Sequence, residues 1–449
     1  MVDDFNRQIG AALGDDPAPD IAVQRGETAE LRACFAVSDL AEASMRAAAV
    51  ELAALEGPGR VEDRVVVDRR LASMWFGMTL RPSGWVLPSA WDPIAGDYRT
   101  ADGWLRLHTN APHHRDAALS VLGCDAEKAE VTAAVATWTG TALEAAVVAA
   151  GGAAAEMHGL EGWARHPQGQ AVAAEPLITW QETGEGNRRP NGLRGLRVLD
   201  LTRVLAGPVA TRFLAGFGAQ VLRIDPPDWS EPGVEPEVTL GKRRAGLNLH
   251  RSEDRRIFEA LLAEADVLVH GYRPGALDNL GYGAAERARL SPGLIDVSLC
   301  AYGWTGPWAG RRGFDSLVQM SCGIAAEGMR RAAADRPVPL PVQALDHATG
   351  YLVAAAVLRA MRRGGGLSAR LSLARTAALL TGAGARDFDT GPGLPPEETV
   401  ADLAPEIEET SWGPARRLRF PVTLDGKGPD WGLPAGMLRV DPPRWPPRW

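Results

Sequence analysis

The segment "LRVLDLTRVLAGPVATRFLAGFGAQVLRIDPP", Leu196–Pro227, determines the fold class of this 449-residue chain. Its first six residues are mostly apolar, which is typical of a strand that is buried on both faces. Ala206–Ala219 follows with helical spacing and has Pro208 in its first turn. Gln220–Asp225 is a second apolar strand. The pattern predicts a strand–helix–strand unit of a parallel sheet.

The same alternation continues beyond this segment. Strand patterns occur in "RRAGLNLH" (Arg243–His250), "DVLVHGY" (Asp266–Tyr272) and "GLIDVSL" (Gly293–Leu299), and a helical pattern occupies "SEDRRIFEALLAEA" (Ser252–Ala265). Short strands that alternate with helices build parallel sheets. We therefore predict an α/β fold, with a parallel-sheet, Rossmann-like large domain and a smaller α+β domain.

Four regions are predicted along the chain. Residues 1–183 form a helical N-terminal part and a small-domain-like segment, in which Ala95–Asn110 has the pattern of a β-hairpin. Residues 184–195 are rich in Gly, Asn and Arg and form a linker. Residues 196–385 form the large domain. Residues 386–449 form a Pro-rich, irregular tail.

The composition is that of an ordinary globular protein, with 45% hydrophobic and 23% charged residues. The formal net charge of −8 argues against nucleic acid as a partner. No apolar run reaches the roughly 18–20 residues that span a bilayer. The first ten residues lack a signal-peptide pattern, so we expect a cytoplasmic protein with no membrane partner. Four widely spaced cysteines indicate neither a metal site nor disulfides.

A dinucleotide-binding domain is one alternative for the Leu196–Pro227 unit, since Asp225 follows at a fitting distance. However, the turn between strand and helix is "RVLAGP" (Arg203–Pro208) instead of G-x-G-x-x-G. Leu205 also occupies space through which the backbone would approach a pyrophosphate. The turn therefore disfavours NAD as a cofactor.

Asp346 stands with His347 at the start of an apolar helical stretch, in which Arg359 is the one charged residue from Gly350 to Met361. Two interpretations fit this position. Asp346 caps the helix by accepting a backbone N–H bond, or it is a partly shielded carboxylate that acts as a nucleophile. For His347 we expect local packing or hydrogen bonding.

Five blocks of the chain, taken together and in order, resemble the class III CoA-transferase (CaiB/BaiF) family. They are Leu196–Pro227, "GKRRAGLNLH" (Gly241–His250), "ADVLVHGYRPGALDNLGYG" (Ala265–Gly283), "LSPGLIDVSLCAYGWTGPWAGRRGFDSLVQMSCGIA" (Leu290–Ala325) and "ALDHATGYLVAAAVLRAM" (Ala344–Met361). The resemblance covers residues 195–380 and implies the fold of that family. It also implies an interlocked homodimer.

The resemblance makes Asp346 the catalytic nucleophile of a CoA transferase. Its carboxylate would attack an acyl-CoA donor, and an aspartyl-CoA thioester would pass CoA to a carboxylic acid acceptor. Amides of the helix N-terminus would stabilise the oxyanions. Coenzyme A thioester is then a substrate, and no permanently bound cofactor or metal is expected. The acyl group and the acceptor are not specified by the sequence.

The resemblance also predicts the CoA contacts. Arg273 and Arg312 are the best candidates for binding phosphate, and the run Lys242–Arg244 either assists them or forms a solvated turn. The complete predicted set is Leu205, Ala206, Leu247, Asn248, Leu249, His250, Gly271, Tyr272, Arg273, Arg312, Gly313, Phe314 and Asp315.

Two features separate the chain from other members of the family. Acyl-CoA racemases carry a proton-transferring His where this chain has Phe314, so racemisation through that pair is disfavoured. The segments that resemble the family's small domain, Trp91–Cys124 and Thr139–Val172, precede the large domain instead of following it. The chain is therefore predicted to be permuted, or to consist of the second half of one copy joined to the first half of another. A racemase or lyase of the same fold and a non-catalytic CoA-binding subunit remain alternatives.

Two further motifs lie outside this scheme. The substrate loop that transferases carry after the nucleophile helix is not evident, because the glycines of Arg362–Arg370 fall at the end of the helix. The adjacent pair His113–His114 suits a polar surface loop better than a metal site.

Overall fold

A computed structural model describes residues 1–14, 21–24, 30–57, 59–184, 186, 192–388 and 397–447. Half of the predicted linker, residues 185 and 187–191, lies outside the described residues.

The largest element is a seven-stranded sheet, here called the main sheet. Its strand order is Lys242–Gly246, Gln220–Asp225, Arg197–Leu201, Val267–His270, Ile295–Cys300, Leu367–Ser372 and Thr179–Glu182. The first six strands are parallel, which confirms the predicted α/β class. The seventh, Thr179–Glu182, is antiparallel and precedes the predicted linker, so the N-terminal region also completes an edge of the large domain.

Helices cover both faces of the main sheet. Ala206–Gly216, Ala344–Arg362 and Leu373–Gly382 pack on one face, and Ser252–Glu264 and Ala284–Leu290 lie on the other. Alternate strand residues therefore enter different cores, as they must in a sheet that is buried twice.

Ala344–Arg362, here called the central helix, is enclosed on all sides. Every residue from Ala344 to Met361 except Arg359 is buried. The helix packs between the main sheet and the helix Val37–Leu55. Gly350 allows a close approach to Ala206–Gly216, because a Cβ at residue 350 would lie 2.4 Å from the Ala206 carbonyl oxygen. A helix that is apolar all round is stable only in such a buried position.

The small-domain-like segment folds as predicted around a β-hairpin. Strands Gly96–Arg99 and Trp104–Leu107 are antiparallel, and Ala154–Glu156 extends them to a three-stranded sheet. Three helices pack against this sheet to give an α+β unit, here called the small unit: Pro112–Leu122, Lys128–Val135 and Gly140–Ala149.

The prediction of an irregular C-terminal tail is wrong for residues 400–424. Glu408–Thr410 and Gly413–Arg417 form a sheet with Leu80–Pro82, and Val422–Leu424 pairs with Val65–Asp68, which also pairs with Ala22–Gln24. A 3₁₀ turn covers Val400–Asp402. These strands are too short to produce a clear sequence pattern, and they form because partners from the N-terminal region satisfy their backbone groups.

The remaining helices have between 4 and 12 residues. They are Val2–Leu13, Val61–Arg64, Arg69–Met74, Leu160–Arg165, Pro167–Ala174, Glu235–Val238, Ala276–Asn279, Asp315–Ser321 and Ile324–Arg331. Among the described residues no single helix is long and apolar enough to cross a membrane. Two consecutive helices, Lys128–Val135 and Gly140–Ala149, are long and apolar enough only when taken together, and they are bent by 118° relative to each other.

Glu237 joins three distant parts of the chain. Its carboxylate accepts hydrogen bonds from the Thr79 amide (3.0 Å) and hydroxyl (2.7 Å), and it forms ion pairs with Arg212 and with Arg417. Although burial by itself raises the pKa of Glu237, the two guanidinium groups and Thr79 lower it to about 2. Glu237 is therefore ionised and fully paired in the interior.

We predict that Glu237→Gln strongly destabilises the protein, because it deprives buried Arg212 of its ion-pair partner and removes one of the two carboxylates that pair with Arg417, the other being Glu408. The expected loss is about 3–5 kcal/mol of unfolding free energy. Chemical denaturation measures it. The matched control is Glu398→Gln, which breaks a half-exposed pair with Arg81 and should cost less than about 1 kcal/mol. Equal effects of the two variants would contradict the structural role of Glu237.

Candidate active site

Asp346 lies in the first turn of the central helix and is 7% exposed. The helix begins at Ala344, with Gln343 at the N-cap position, so Asp346 is the third helical residue. No hydrogen bond reaches the Asp346 carboxylate from any residue that the structure describes. The interpretation of Asp346 as a helix cap is therefore wrong.

The cap is supplied by Asp315 instead. One oxygen of its carboxylate, Oδ2, accepts the backbone N–H bonds of Leu345 (2.8 Å) and Asp346 (2.9 Å), and the Gln319 side chain donates to Oδ1. Asp315 is only 1% exposed. These two helix amides are therefore occupied, which corrects the expectation that they are free to stabilise oxyanions at Asp346.

The two carboxyl groups perturb each other. Burial raises the pKa of Asp315 to about 6, although the three donors that reach it act in the opposite direction. Burial also raises the pKa of Asp346 well above its usual value, and the negative charge of Asp315 raises it further. Since only Asp315 has hydrogen bonds that stabilise its anion, a proton shared by this pair resides on Asp346.

His347 has a packing role. Its ring stacks on Phe76 with the centroids 5.2 Å apart. Burial, assisted by the nearby positive charge of Arg212, lowers the pKa of His347 to about 3. The imidazole is therefore neutral, which agrees with the expectation from the sequence.

The turn before Ala206–Gly216 lies close to the central helix. Val204 has φ 64°, which is unusual for a β-branched residue, and its N–H donates to Glu231 Oε2 at 2.8 Å. Leu205 and Ala206 follow and are buried. Because the Ala206 carbonyl lies against Gly350, one helical turn beyond Asp346, these two predicted CoA contacts are near the candidate nucleophile.

Three arginines gather on the exposed side of this turn and are here called the cation cluster: Arg203, Arg273 and Arg312. The Arg203 guanidinium lies 5.6 Å from the Tyr272 ring and 4.7 Å from the Trp229 ring. Partial burial and then the charge of Arg273 lower the pKa of Arg312, so these two cations are neighbours. Sequence reasoning identified Arg273 and Arg312 but missed Arg203. Three neighbouring positive charges create a positive potential, which favours the binding of an anion.

The segment Leu247–His250 contributes less than predicted. Leu247 and Leu249 point into the core, and the backbone N–H of Asn248 donates to Asp254 Oδ2 at 2.7 Å. His250 alone is exposed. Backbone groups and His250 are what this segment offers to a ligand.

Both expectations for Lys242 are wrong. Lys242 is buried in the first strand of the main sheet, where its Nζ is 3.1 Å from Asp200 Oδ2 and donates to the Pro208 carbonyl at 3.0 Å. It neither faces a phosphate site nor forms a solvated turn.

The small unit packs over Phe314, the residue before Asp315. The His108 ring stacks on the Phe314 ring at 3.7 Å, and His114 approaches it edge-on at 5.7 Å. The charge of Arg106 also acts on Asp315. Arg106 and His108 were missed, although the alternation in "WLRLH" (Trp104–His108) places them on the face opposite to Leu105 and Leu107.

The expectation that His113–His114 forms a surface loop is wrong for His114. Both residues lie in the helix Pro112–Leu122, where His113 is exposed and His114 is 3% exposed. Burial, followed by the charges of His113 and Arg312, lowers the pKa of His114 to about 3. In the described part of the chain, no group of three His, Cys, Asp or Glu side chains is placed to hold a metal ion.

The glycines of Arg362–Arg370 lie at the far end of the central helix. Gly364, Gly365 and Gly366 all have positive φ and connect the helix to the strand Leu367–Ser372. At 1.5 Å per residue, Gly364 is roughly 27 Å from Asp346. This loop therefore cannot cover a substrate at Asp346, and the small unit occupies the space near that residue instead.

The similarity to known proteins lies in the part of the chain that contains the large domain. The model of CoA-transferase family III matches residues 193–405. An acetyl-coenzyme A transferase from Hypoxylon pulicicidum is 35% identical over 195 residues, which are 42% of this chain and 33% of that protein. An acetyl-CoA:oxalate CoA-transferase from Acetobacter aceti is 38% identical over 149 residues, 30% of this chain and 38% of that protein.

A third relative is a succinyl-CoA:glutarate CoA-transferase from Mus musculus. It is 34% identical over 192 residues, which are 39% of this chain and 44% of that protein. The chain spans between one third and one half of the length of these relatives. The matched family region, 193–405, includes Asp346, Asp315 and the cation cluster, and it confirms the resemblance that five blocks of the sequence indicated.

We predict that Asp346→Asn stabilises the protein increasingly as the pH rises. Above about pH 4 the unfolded chain releases the Asp346 proton while the native state retains it, so the parent loses stability through the raised pKa. The variant lacks this titration. Its melting temperature should exceed the parent's by roughly 2 °C at about pH 8, and the difference should vanish near pH 4.

The control for this experiment is Asp335→Asn at an exposed carboxylate. Its melting-temperature difference from the parent should be small and should not depend on pH. A pH-independent difference for Asp346→Asn would contradict the raised pKa of Asp346.

Proposed function

Since the model of CoA-transferase family III matches residues 193–405, we propose that the protein moves CoA from an acyl-CoA donor to a carboxylic acid acceptor, with Asp346 as the nucleophile. The observation that supports this role best is the Asp346 carboxylate itself. It is buried at a helix start, makes no hydrogen bond with the described residues, and is not the cap of its helix.

The first half-reaction removes CoA from the donor. An oxygen of the Asp346 carboxylate attacks the thioester carbonyl, the C–S bond breaks, and CoA leaves as a thiolate from a mixed aspartyl anhydride. The thiolate then attacks the aspartyl carbonyl of that anhydride. The donor acid leaves as a carboxylate, and an aspartyl-CoA thioester remains.

The second half-reaction repeats these steps with the acceptor. The acceptor carboxylate attacks the aspartyl thioester and expels the CoA thiolate, which gives a second anhydride. The thiolate attacks the acceptor carbonyl of this anhydride, so that the new acyl-CoA leaves and the Asp346 carboxylate is regenerated. No proton, electron or further reactant is consumed in the complete cycle.

Asp315 controls the state of the nucleophile. It fixes the first turn of the central helix through two amide hydrogen bonds, and its charge raises the pKa of Asp346. Attack requires the Asp346 anion, so the reaction needs this carboxyl to lose its proton. Because the amides of residues 345 and 346 are held by Asp315, oxyanion stabilisation must come from other donors near Asp346.

The cation cluster is proposed to hold the phosphates of CoA. Arg203, Arg273 and Arg312 combine charge with planar donors that match phosphate oxygens. Leu205 and Ala206 would lie along the chain that connects the nucleotide of CoA to its thiol. The small unit, through His108 and His114 beside Phe314, would form part of the acyl site.

The order of segments supports a permuted family member. The small unit precedes the large domain in sequence, yet it packs over Phe314 beside the candidate nucleophile. Following the family resemblance, we extend the proposal to a cytoplasmic homodimer whose partners are acyl-CoA and a carboxylic acid. Analytical ultracentrifugation would give twice the chain mass for the dimer.

The kinetic prediction uses Asp346→Asn. A panel of acyl-CoA donors and carboxylic acid acceptors should give ping-pong kinetics with the parent, and the variant should lose about 10³-fold or more in kcat. Its affinity for CoA should change by less than about twofold, since the amide keeps the shape of the side chain. Asp335→Asn should behave as the parent.

Two results would decide against the transferase. CoA binding without turnover in the parent would favour the alternative of a non-catalytic CoA-binding subunit. Turnover that survives Asp346→Asn would contradict the role of Asp346.

A second prediction concerns pH. The kcat/KM of the parent should fall on the acid side as Asp346 gains its proton. Asp315→Asn removes the neighbouring negative charge but keeps an oxygen that accepts the helix amides, so the acid limb should move to lower pH. An unchanged limb would contradict coupling between the two carboxyl groups.

A further inference from the structure

Three polar side chains lie side by side on the face of the main sheet opposite to the central helix. His270 is in register with Ser298 on the next strand, and Ser298 is in register with Arg370 on the strand after it. Val269 and Val297 belong to the core under the central helix, so their neighbours 270 and 298 point to the other face. Adjacent strands are about 4.8 Å apart, which places the three side chains within reach of one ligand.

A cavity of about 180 Å³ opens over this row and is here called the back pocket. Arg287 lies in its wall, and Arg273 and Trp304 lie at its rim. A parallel sheet that is covered on both faces normally carries apolar residues at such positions. A polar row under a cavity at the carboxyl ends of parallel strands is where ligands bind in sheets of this type.

The polar side chains of the row make no short hydrogen bond with the residues that the structure describes. His270 is 6% exposed, and neither ring nitrogen has a hydrogen-bond partner among the described residues. Its Nε2 lies 3.5 Å from Asp296 Oδ1, which is a long contact, while the other oxygen of Asp296 accepts a hydrogen bond from Arg287 Nε at 2.8 Å. Buried polar groups are almost always hydrogen-bonded, so the Nδ1 position of the imidazole is open to a ligand.

Arg370 and Ser298 are available in the same way. In the part of the chain that the structure describes, no acceptor takes a hydrogen bond from the Arg370 guanidinium, which lies 5.1 Å from the Trp304 ring centroid. The Ser298 hydroxyl, in a residue that is 5% exposed, likewise has no bond there. Arg273 and Arg370 line the pocket against one carboxylate, Asp278, while the charge of Arg287 is balanced by its ion pair with Asp296.

We propose that the back pocket binds a small organic anion through a phosphate or carboxylate group. Arg370 and the Ser298 hydroxyl donate to the anionic oxygens, the His270 imidazole completes the hydrogen bonding, and Trp304 covers the carbon part of the ligand. The volume suits a molecule of the size of a short dicarboxylic acid or a small phosphate ester, and it is too small for CoA.

The back pocket is separate from the candidate active site. His270, Ser298 and Arg370 are on the face of the main sheet away from Asp346, and none of them is a predicted CoA contact. Tyr272 and Arg273 line the back pocket and also belong to the predicted CoA contacts. The tests therefore use Arg370 and Ser298, so that failure of this proposal is distinguishable from failure of the proposed function.

The experiment is calorimetric titration of the full chain with inorganic phosphate and, in a second arm, with succinate. Saturable binding that depends on Arg370 and Ser298 is expected in at least one arm, and the arm that shows it identifies the anionic group. Arg370→Gln and Ser298→Ala should each weaken that binding, the former by about 10-fold or more. The control is Arg251→Gln, which changes an exposed arginine at the start of the helix Ser252–Glu264. This variant should bind the anion as tightly as the parent.

The same variants are also titrated with CoA. Affinity for CoA should not change in Ser298→Ala or Arg370→Gln. Should Arg370→Gln fail to fold, Ser298→Ala still decides the outcome. The proposal is overturned if neither anion binds saturably, if Arg251→Gln weakens binding as much as Arg370→Gln, or if CoA affinity falls together with anion affinity.

Discussion

The capping of the central helix by Asp315 is the interaction on which the candidate active site depends. A buried carboxylate accepts the amides of Leu345 and Asp346, and this fixes the first turn of a helix that is enclosed by protein along nearly its whole length. The same interaction leaves the Asp346 carboxylate without a backbone partner and next to a second negative charge. The Asp315 carboxylate therefore both stabilises the start of the central helix and sets the protonation of Asp346.

The assembly around this helix draws on segments from the whole chain. Glu237 pairs with Arg212 and Arg417 and accepts hydrogen bonds from Thr79, so the N-terminal, central and C-terminal regions share one buried network. Burial of so much charge is tolerated because each charge has a partner. This network holds the N-terminal, central and C-terminal regions together. The small unit precedes the large domain in sequence and lies beside the candidate nucleophile.

The sequence predicted what depends on local pattern. Alternating strands and helices predicted the parallel sheet, and the hairpin at residues 95–110 followed from its turn and alternation. Contacts between distant residues were not predictable in the same way. The Asp315 cap joins residues 31 positions apart, and the tail strands pair with residues near the other end of the chain. The row of His270, Ser298 and Arg370 depends on strand register, which a single sequence does not specify.

Trapping of the aspartyl intermediate tests whether Asp346 is the nucleophile. The protein is incubated with a panel of acyl-CoAs, treated with hydroxylamine and digested, and the peptide that carries Asp346 is analysed by mass spectrometry. If Asp346 is the nucleophile, a hydroxamate forms on Asp346, depends on the acyl-CoA and is absent from Asp346→Asn. An unmodified Asp346 peptide from protein that demonstrably binds and turns over acyl-CoA would contradict this role.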